Sequence, residues 1–225
     1  MHTVSIIIPV YNESTCIEGL VGNLKQLQGT FEVIFVDGGS TDGTLDMIVK
    51  DFPVVKSPEK GRSCQMNYGA TLAKGDVLFF LHADSILPED ALMQIERVMS
   101  QYQVGCFPIQ FASKSPLMAI CAWMSNLRVK LRNIAFGDQG IFIKKAYFME
   151  IGMFAAIPLM EDYQLSLTIK HNRQKFGLAA AKIITSERRF LKHGRLKTMI
   201  RMQILQHMYR RGKDIELIAK MYRDD

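Results

Sequence analysis

Through its first hundred residues the chain alternates short β-rich runs with longer helical patterns, and the polar residues collect just after each run. That alternation is the signature of a mostly parallel, Rossmann-like sheet with helices on both faces, an α/β fold. Ser5 to Val10 reads as a first strand and Phe31 to Asp37 as a second, joined by a helix over 14–28 that Ser14 is placed to cap. Asp42 to Lys50 reads as a helix capped by Asp42, Pro53 to Lys56 as a short third strand, and Arg62 to Ala73 as a further helix. Asp76 to His82 reads as a strand buried on both faces, because Val77, Leu78, Phe79, Phe80 and Leu81 do not alternate with polar residues. Pro88 then opens a helix that runs to Gln101.

The second half is less regular. Gly105 to Ala112 and Gly140 to Lys144 read as strands, with an apolar helix from Pro116 to Arg132 between them and another from Glu161 to His171. The 225 residues correspond to roughly one and a half typical domains. With 48% apolar and 22% charged residues, the composition excludes collagen-like, disordered and coiled-coil chains. Neither a repeat nor a linker divides the chain, so 1–190 is expected to form one domain and 191–225 a basic helical extension of it. Cys16, Cys64, Cys106 and Cys121 are too far apart for a zinc or CxxC motif and are expected to be reduced thiols. The residues from Met1 onward lack a basic leader, and no apolar run approaches the ~20 residues of a membrane span. A cytoplasmic location, extending to the inner face of the cell membrane, is the expectation.

Ligands of open α/β sheets bind beyond the carboxyl ends of the strands. Here those positions carry Pro9-Val10-Tyr11-Asn12-Glu13, then Asp37-Gly38-Gly39-Ser40-Thr41-Asp42-Gly43-Thr44, then His82-Ala83-Asp84-Ser85. The glycine-rich turn fits neither a Walker A loop nor the GxGxxG dinucleotide pattern, so ATP hydrolysis and NAD binding both lose their main motif. Asp37, at a strand terminus, is placed to accept hydrogen bonds from a base or ribose in preference to a capping role in a strand-to-helix turn; for Asp42 helix capping is the favoured role.

The runs SIIIPVYNE, EVIFVDGGSTDGT, GRSCQMNYGATLAKGDVLFFLHADS, GDQGIF and MEDYQLS, in that order, resemble the family 2 glycosyltransferases of GT-A fold over about residues 3 to 190, and within them a bacterial subgroup with FLHADS and GDQG motifs. The resemblance implies transfer of a sugar from a nucleotide diphosphate sugar, with inversion at the anomeric carbon and help from Mg²⁺ or Mn²⁺. Pro9, Tyr11, Glu13 and Asp37 match the positions that hold the nucleoside. Gly61, Arg62 and Asn67 match a segment that contacts base or ribose and braces the cleft, although Arg62 also fits a plain surface charge and Asn67 a packed helix residue. Where the family commonly carries Asp-x-Asp, this chain has His82-Ala83-Asp84. Asp84 therefore matches the metal ligand, and His82 suits a structural or ribose-contacting role better than ligation. His193, in what reads as a loop 191–194, is a further candidate ligand folded over the diphosphate. Glu161-Asp162 matches the family's ED motif, which makes Asp162 the base and Glu161 its companion. The dipole of a first helical turn, worth roughly 0.3–1 kcal/mol, would keep that carboxylate ionised. Asp138 and Gln139 match the acceptor pocket. The processive QxxRW motif is replaced by Ser186-Glu187-Arg188-Arg189-Phe190, so single transfers are expected, with Arg188 or Arg189 reaching the diphosphate.

The net charge is +6, yet from Arg188 onward eleven Lys or Arg face four Asp or Glu, a net of +7. The basic excess is thus a property of the C-terminal part. Leu196, Met199, Ile200, Ile204 and Met208 recur at helical spacing, which fits a helix packed on the domain or on a second copy in a homodimer, and secondarily a peripheral membrane contact useful for a lipid-linked acceptor. Nucleic acid is not an expected partner, because no binding motif accompanies the charge. Two other readings compete with a transferase. A nucleotidyltransferase would need a glycine-rich arginine loop that PVYNE does not supply; a catalytically silent nucleotide-sugar sensor or scaffold would tolerate the missing first aspartate.

Overall fold

The computed structural model describes residues 2–223; Met1 and the terminal pair Asp224 and Asp225, which enter the leader reading and the C-terminal charge count, lie outside them. In chain order the elements are β1 (Val4–Val10), α1 (Ile17–Lys25), β2 (Phe31–Asp37), α2 (Thr44–Ile48), β3 (Val54–Lys56), α3 (Arg62–Leu72), β4 (Val77–Phe80), β5 (Ser85–Ile86) and α4 (Ala91–Met99). They continue with β6 (Val104–Cys106), β7 (Ile109–Phe111), α5 (Pro116–Arg132), a single 3-10 turn (Gly137–Gln139), β8 (Ile141–Lys144), α6 (Lys145–Glu150) and α7 (Glu161–His171). The last are β9 (Phe176–Leu178), β10 (Ile183–Thr185), α8 (Arg188–His193), α9 (Arg195–Arg210) and α10 (Ile215–Arg223).

Seven strands form the main sheet in the order β3-β2-β1-β4-β8-β6-β9. β1 to β4 are mutually parallel, and β8 runs antiparallel to both its neighbours. The register aligns Val10 with Asp37, and Asp37 with Lys56, so three strands end at one edge and deliver their polar followers to one place. Strand periodicity divides the core between the two faces. Ile6, Ile8, Phe35, Phe79 and Leu81 pack on one side, while Ile7, Ile34, Val36, Leu78 and Phe80 pack on the other. Phe79 joins Phe107 and Phe142 at ring separations of 5.7 and 6.1 Å, and Phe80 joins Phe148 and Phe154 at 5.0 and 4.8 Å. Each buried ring contributes about 1.5–3 kcal/mol relative to exposure. α3 lies close on β1 and β2 because Gly69 has no side chain: a Cβ there would sit 2.5 Å from Ile7 Cγ2.

Several local expectations change. Gly105 to Ala112 is two strands in different sheets, because Pro108 has no N–H to continue a ladder. Ser14 does not cap α1, which starts at Ile17; its N–H donates to Asp42 Oδ2 at 3.0 Å instead. The loop after β1 is stitched to the loop after β2 by that bond, by Thr41 N–H to Asn12 Oδ1 and by Glu13 N–H to Thr44 Oγ1. Asp42 does accept the Thr44 N–H at the start of α2, and the Thr44 hydroxyl holds its carboxyl well below the usual range.

A second, three-stranded sheet, β5-β10-β7, is built from runs too short to stand out in the sequence. It pairs Thr185 with Ser85 and so carries the start of α8 to the end of β4. His193, expected in a loop, closes α8, since the chain turns only at Gly194 with φ 88°. The last two helices dock on the domain through Leu205, Ile218 and Ala219 against Ile134, Leu159, Met160 and Tyr163. Of the five residues expected to form the packing face of α9, only Met208 joins that cluster; Leu196, Ile200 and Ile204 stay exposed. The four cysteines are free thiols, and among the described residues no helix is long and apolar enough to cross a membrane.

Candidate active site

A cavity of about 1240 Å³ opens beyond the carboxyl ends of β1 and β4, between the loops that follow them, α5 and the C-terminal helices. Asp84 lies on its floor two residues beyond His82, with 16% of its side chain exposed. Burial pushes the Asp84 carboxyl up, the Arg188 guanidinium opposes that rise, and Glu13 reinforces it. Arg188 Nε lies 3.4 Å from Asp84 Oδ2, and its Nη1 and Nη2 grip the two Glu13 oxygens at 2.7 and 3.0 Å. Glu13 lies beside Cys16, whose thiol is pushed up to about 12 by burial and then by that carboxylate, which favours the protonated thiol at neutral pH.

Asp138, on the 3-10 turn, lines the same cavity. Its Oδ1 is buried without a hydrogen-bond partner. Burial pushes its carboxyl up; Arg128 pulls it down, and the Asp84 charge raises it further. An orphaned carboxylate oxygen beside a second carboxylate is a donor set that a hard cation satisfies, since Mg²⁺ often takes one or two protein carboxylates and completes its shell with phosphates and water. The residues present therefore fit a divalent ion. Among the described residues no three His, Cys, Asp or Glu side chains converge into a metal-holding group, so an ion held here would complete its shell with substrate and water. His193 lines the cavity from the end of α8.

Glu161 and Asp162 open α7 and are both buried. Glu161 accepts Arg62 Nε at 2.5 Å. The arginine loses by burial, but the two carboxylates more than offset this and raise its pKa. Asp162 Oδ2 accepts the Gly137 N–H at 2.7 Å and Oδ1 the Tyr163 N–H at 2.7 Å. Burial and then Glu161 push the Asp162 carboxyl up to about 6, against the pull of Arg62 and the two N–H groups. The helix dipole expected to keep this carboxylate ionised is the smaller effect here: desolvation of a buried carboxylate exceeds a contribution of about 1 kcal/mol. His82 packs on the turn so closely that a Cβ on Gly137 would stand 2.5 Å from its Nε2. Burial, helped by Arg62 and Arg188, pushes the imidazole down to about 3 and keeps it neutral.

Of the residues singled out from sequence, Pro9, Glu13, Arg62, His82, Asp84, Asp138, Asp162, Arg189 and His193 line this one cavity. Others are used differently. The Asp37 carboxylate, buried, accepts the Gly39 and Ser40 N–H groups of its own turn, a bracing role that the sequence did not single out. Tyr11 is exposed and does not line the cavity, and Gly61 enters α3 with φ 121°. The Asn67 amide is held at both ends by the Phe154 backbone, at 2.9 and 3.0 Å, so it ties α3 to the 150s loop. Gln139 is fully buried and does not line the cavity, its Oε1 accepting from Arg128 and the Phe136 N–H; the acceptor role expected for it is corrected to a structural one, because a fully buried amide has no surface to offer an acceptor. Arg189 turns towards the C-terminus, its guanidinium 3.4 Å over the Tyr222 ring and its Nη2 donating to Tyr222 O. Arg188, not Arg189, faces the acidic floor. Arg128, stacked 4.1 Å over Phe136, is a cavity residue the sequence reading missed, its one signal being a cation inside an apolar helix.

The comparisons with known proteins agree with this geometry. The glycosyl transferase family 2 profile matches residues 5–152. An undecaprenyl-phosphate 4-deoxy-4-formamido-L-arabinose transferase of Pseudomonas fluorescens is 33% identical over 117 residues, 47% of this chain and 34% of the relative. A PGL/p-HBAD biosynthesis glycosyltransferase of Mycobacterium bovis is 34% identical over 108 residues, 44% and 42% of the two chains. The chain thus spans well under half the length of these curated relatives. Among solved structures, the Pyrobaculum calidifontis mannosyltransferase PcManGT in complex with GDP-Man and Mn²⁺ superimposes with a TM-score of 0.73 over 98% of this chain and 69% of the other, at 19% identity. Staphylococcus aureus TarS 1–349 in complex with UDP-GlcNAc gives 0.67 over 84% and 59%, at 16% identity. Fold, strand-end motifs and profile agree, and the chain belongs to glycosyl transferase family 2, with a GT-A fold.

Proposed function

We propose that this chain transfers a sugar, with inversion, from a nucleotide diphosphate sugar to a hydroxyl of a lipid-linked acceptor, with Asp162 as the base. The observation that carries this reading is the buried Asp162 at the head of α7, held by the Gly137 and Tyr163 N–H groups on the wall of the cavity that Asp84 and Asp138 also line; burial and then Glu161 raise its carboxyl. A base tuned near the working pH takes a proton most effectively. Residues 1–190 are read as the catalytic domain and 191–225 as its helical extension.

The acceptor hydroxyl gives its proton to Asp162 as its oxygen bonds to the anomeric carbon, and the bond from that carbon to the diphosphate breaks on the opposite side. Arg188 and Arg62, both at the cavity wall, stabilise the charge that builds on the departing diphosphate. Asp84 and the unpartnered Asp138 oxygen would hold Mg²⁺ or Mn²⁺, whose charge there offsets that of the diphosphate. Neutral His82 shapes the floor under the ribose or sugar without adding charge. The relative named for undecaprenyl phosphate supports a lipid-linked acceptor, met at the inner face of the cell membrane.

The test is calorimetric titration with a panel of nucleoside diphosphates and their sugars, with and without Mn²⁺, followed by an assay for slow donor hydrolysis. Binding that needs Mn²⁺ and is weakened by Asp84→Asn supports the reading. No binding by any nucleotide, or hydrolysis untouched in Asp162→Asn, sinks it.

A further inference from the structure

The cavity is larger than a sugar donor needs. Small-molecule sites usually measure about 300–1,000 Å³, and this one continues from the acidic floor into a trough between α5 and α9 whose walls are apolar. α5 has already used one face on the core, through Met118, Ala122 and Val129. Its other face presents Trp123 and Leu131, which are 63% and 74% exposed. Opposite them, α9 presents Leu196, 60% exposed, and Ile200, while its own packing residues Thr198 and Leu205 are buried. Scattered apolar residues on a surface need no explanation, but a contiguous set facing one trough marks a binding surface.

The charges identify the occupant. Arg128 and Arg132 stand one turn apart on α5 and both line the trough, Arg128 at the end near Asp138 and Arg132 beside Leu131 at the outer end. A ligand that satisfies this surface has an aliphatic chain for the α5 and α9 walls, an anionic group for the arginines and a hydroxyl that reaches Asp162. We propose that the trough binds the acceptor itself, an anionic single- or double-chain lipid with a hydroxyl-bearing head group, the chain lying between α5 and α9. This assignment rests on the transferase reading for what happens at the head group; the chain-binding site stands on the trough alone.

Trp123 is the chain's one tryptophan and sits on the lip, so its emission reports this site and nothing else. The full chain is titrated with lysophosphatidylglycerol below its micelle concentration, with lysophosphatidylcholine as the chain without net charge and glycerol 3-phosphate as the head without a chain. The expected result is a saturable blue shift with lysophosphatidylglycerol, at least about tenfold weaker binding of lysophosphatidylcholine, and no shift with glycerol 3-phosphate. Leu131→Glu and Ile200→Glu are each expected to weaken lipid binding by about tenfold or more, since each puts a charge where a chain lies. Met93→Glu, exposed on α4 and away from the trough, is expected to change nothing. If either glutamate variant loses its circular dichroism, Leu131→Ser and Ile200→Ser replace them. Equal binding of the two lysolipids, a shift that survives both trough variants, or a dimer in sedimentation velocity whose Trp123 is already buried and silent to lipid overturns the proposal. The nucleotide titration is run on the same preparation. Nucleotide binding with a silent Trp123 removes the lipid site alone; lipid binding without any nucleotide binding removes the transferase reading alone.

Discussion

Arg188 Nε lies 3.4 Å from Asp84 Oδ2, and the same guanidinium holds both oxygens of Glu13, so one cation bridges the loop after β1 to the loop after β4. Under the proposed function, it is the cation that would meet the diphosphate. Its pKa is raised, first by the Glu13 hydrogen bonds, so it stays charged throughout the pH range of interest. A charge-assisted hydrogen bond to phosphate contributes about 1.5–3 kcal/mol. Arg188→Ala is therefore expected to weaken nucleoside diphosphate binding, measured calorimetrically in the presence of Mn²⁺, by about tenfold or more. Arg189→Ala, which removes the contact to Tyr222 instead, is expected to stay within about twofold; the reverse ranking would disprove the assignment of Arg188.

Asp162→Asn keeps an oxygen for the Gly137 N–H but cannot take a proton. General-base removal typically costs about 10²–10⁴ in rate. Turnover should fall by that factor while donor affinity changes little, as read by product formation and titration on the same sample. A parallel loss of donor affinity would mean that Asp162 serves binding and not chemistry.

The same residue sets a pH dependence. Its folded pKa, about 6, lies above the ordinary 3.8, so the folded state favours the protonated carboxyl. Stability from this group is complete below about pH 4 and is lost as pH rises towards and through 6, because the folded chain then holds the proton that the unfolded chain has released. Activity runs the other way and should rise with pH through about 6. The stability of Asp162→Asn relative to the wild type should accordingly increase between pH 4 and pH 8, by up to about 3 kcal/mol. Urea unfolding at the two pH values checks the sign.

Gly137→Ala tests the packing of the floor. Its Cβ would stand 2.5 Å from His82 Nε2 and 3.5 Å from Asp162 Oδ2, so the imidazole or the turn must move. Overpacking of this kind costs about 1–3 kcal/mol. A lower melting temperature together with a fall in turnover is expected, and unchanged turnover in a folded variant would show that the floor geometry is not critical.

The main strands and the helices Pro116–Arg132 and Glu161–His171 were legible from residues alone, because their signals are local. Apolar runs without alternation mark strands covered on both faces, a proline at the first turn opens α5, and paired acids open α7. Asp84 was legible as a polar follower of β4, whereas Asp138 and Asp162 were singled out only through the resemblance of GDQG and MED to motifs of the family. The uses of Asp37, Asn67 and Gln139 were not, since whether a polar side chain meets a ligand or its own backbone depends on which neighbour reaches it first.

The sequence by itself determined the α/β class, the edge of the sheet where chemistry collects and the carboxylates gathered there. Only the tertiary structure decided between Arg188 and Arg189. Consecutive helical residues point about 100° apart, so adjacent arginines must face different surroundings, and which faces Asp84 is set by the pairing of Thr185 with Ser85 in strands of three and two residues. Strands that short carry almost no propensity signal of their own. They form because the rest of the fold holds them together, and with them it places the cation beside the acid.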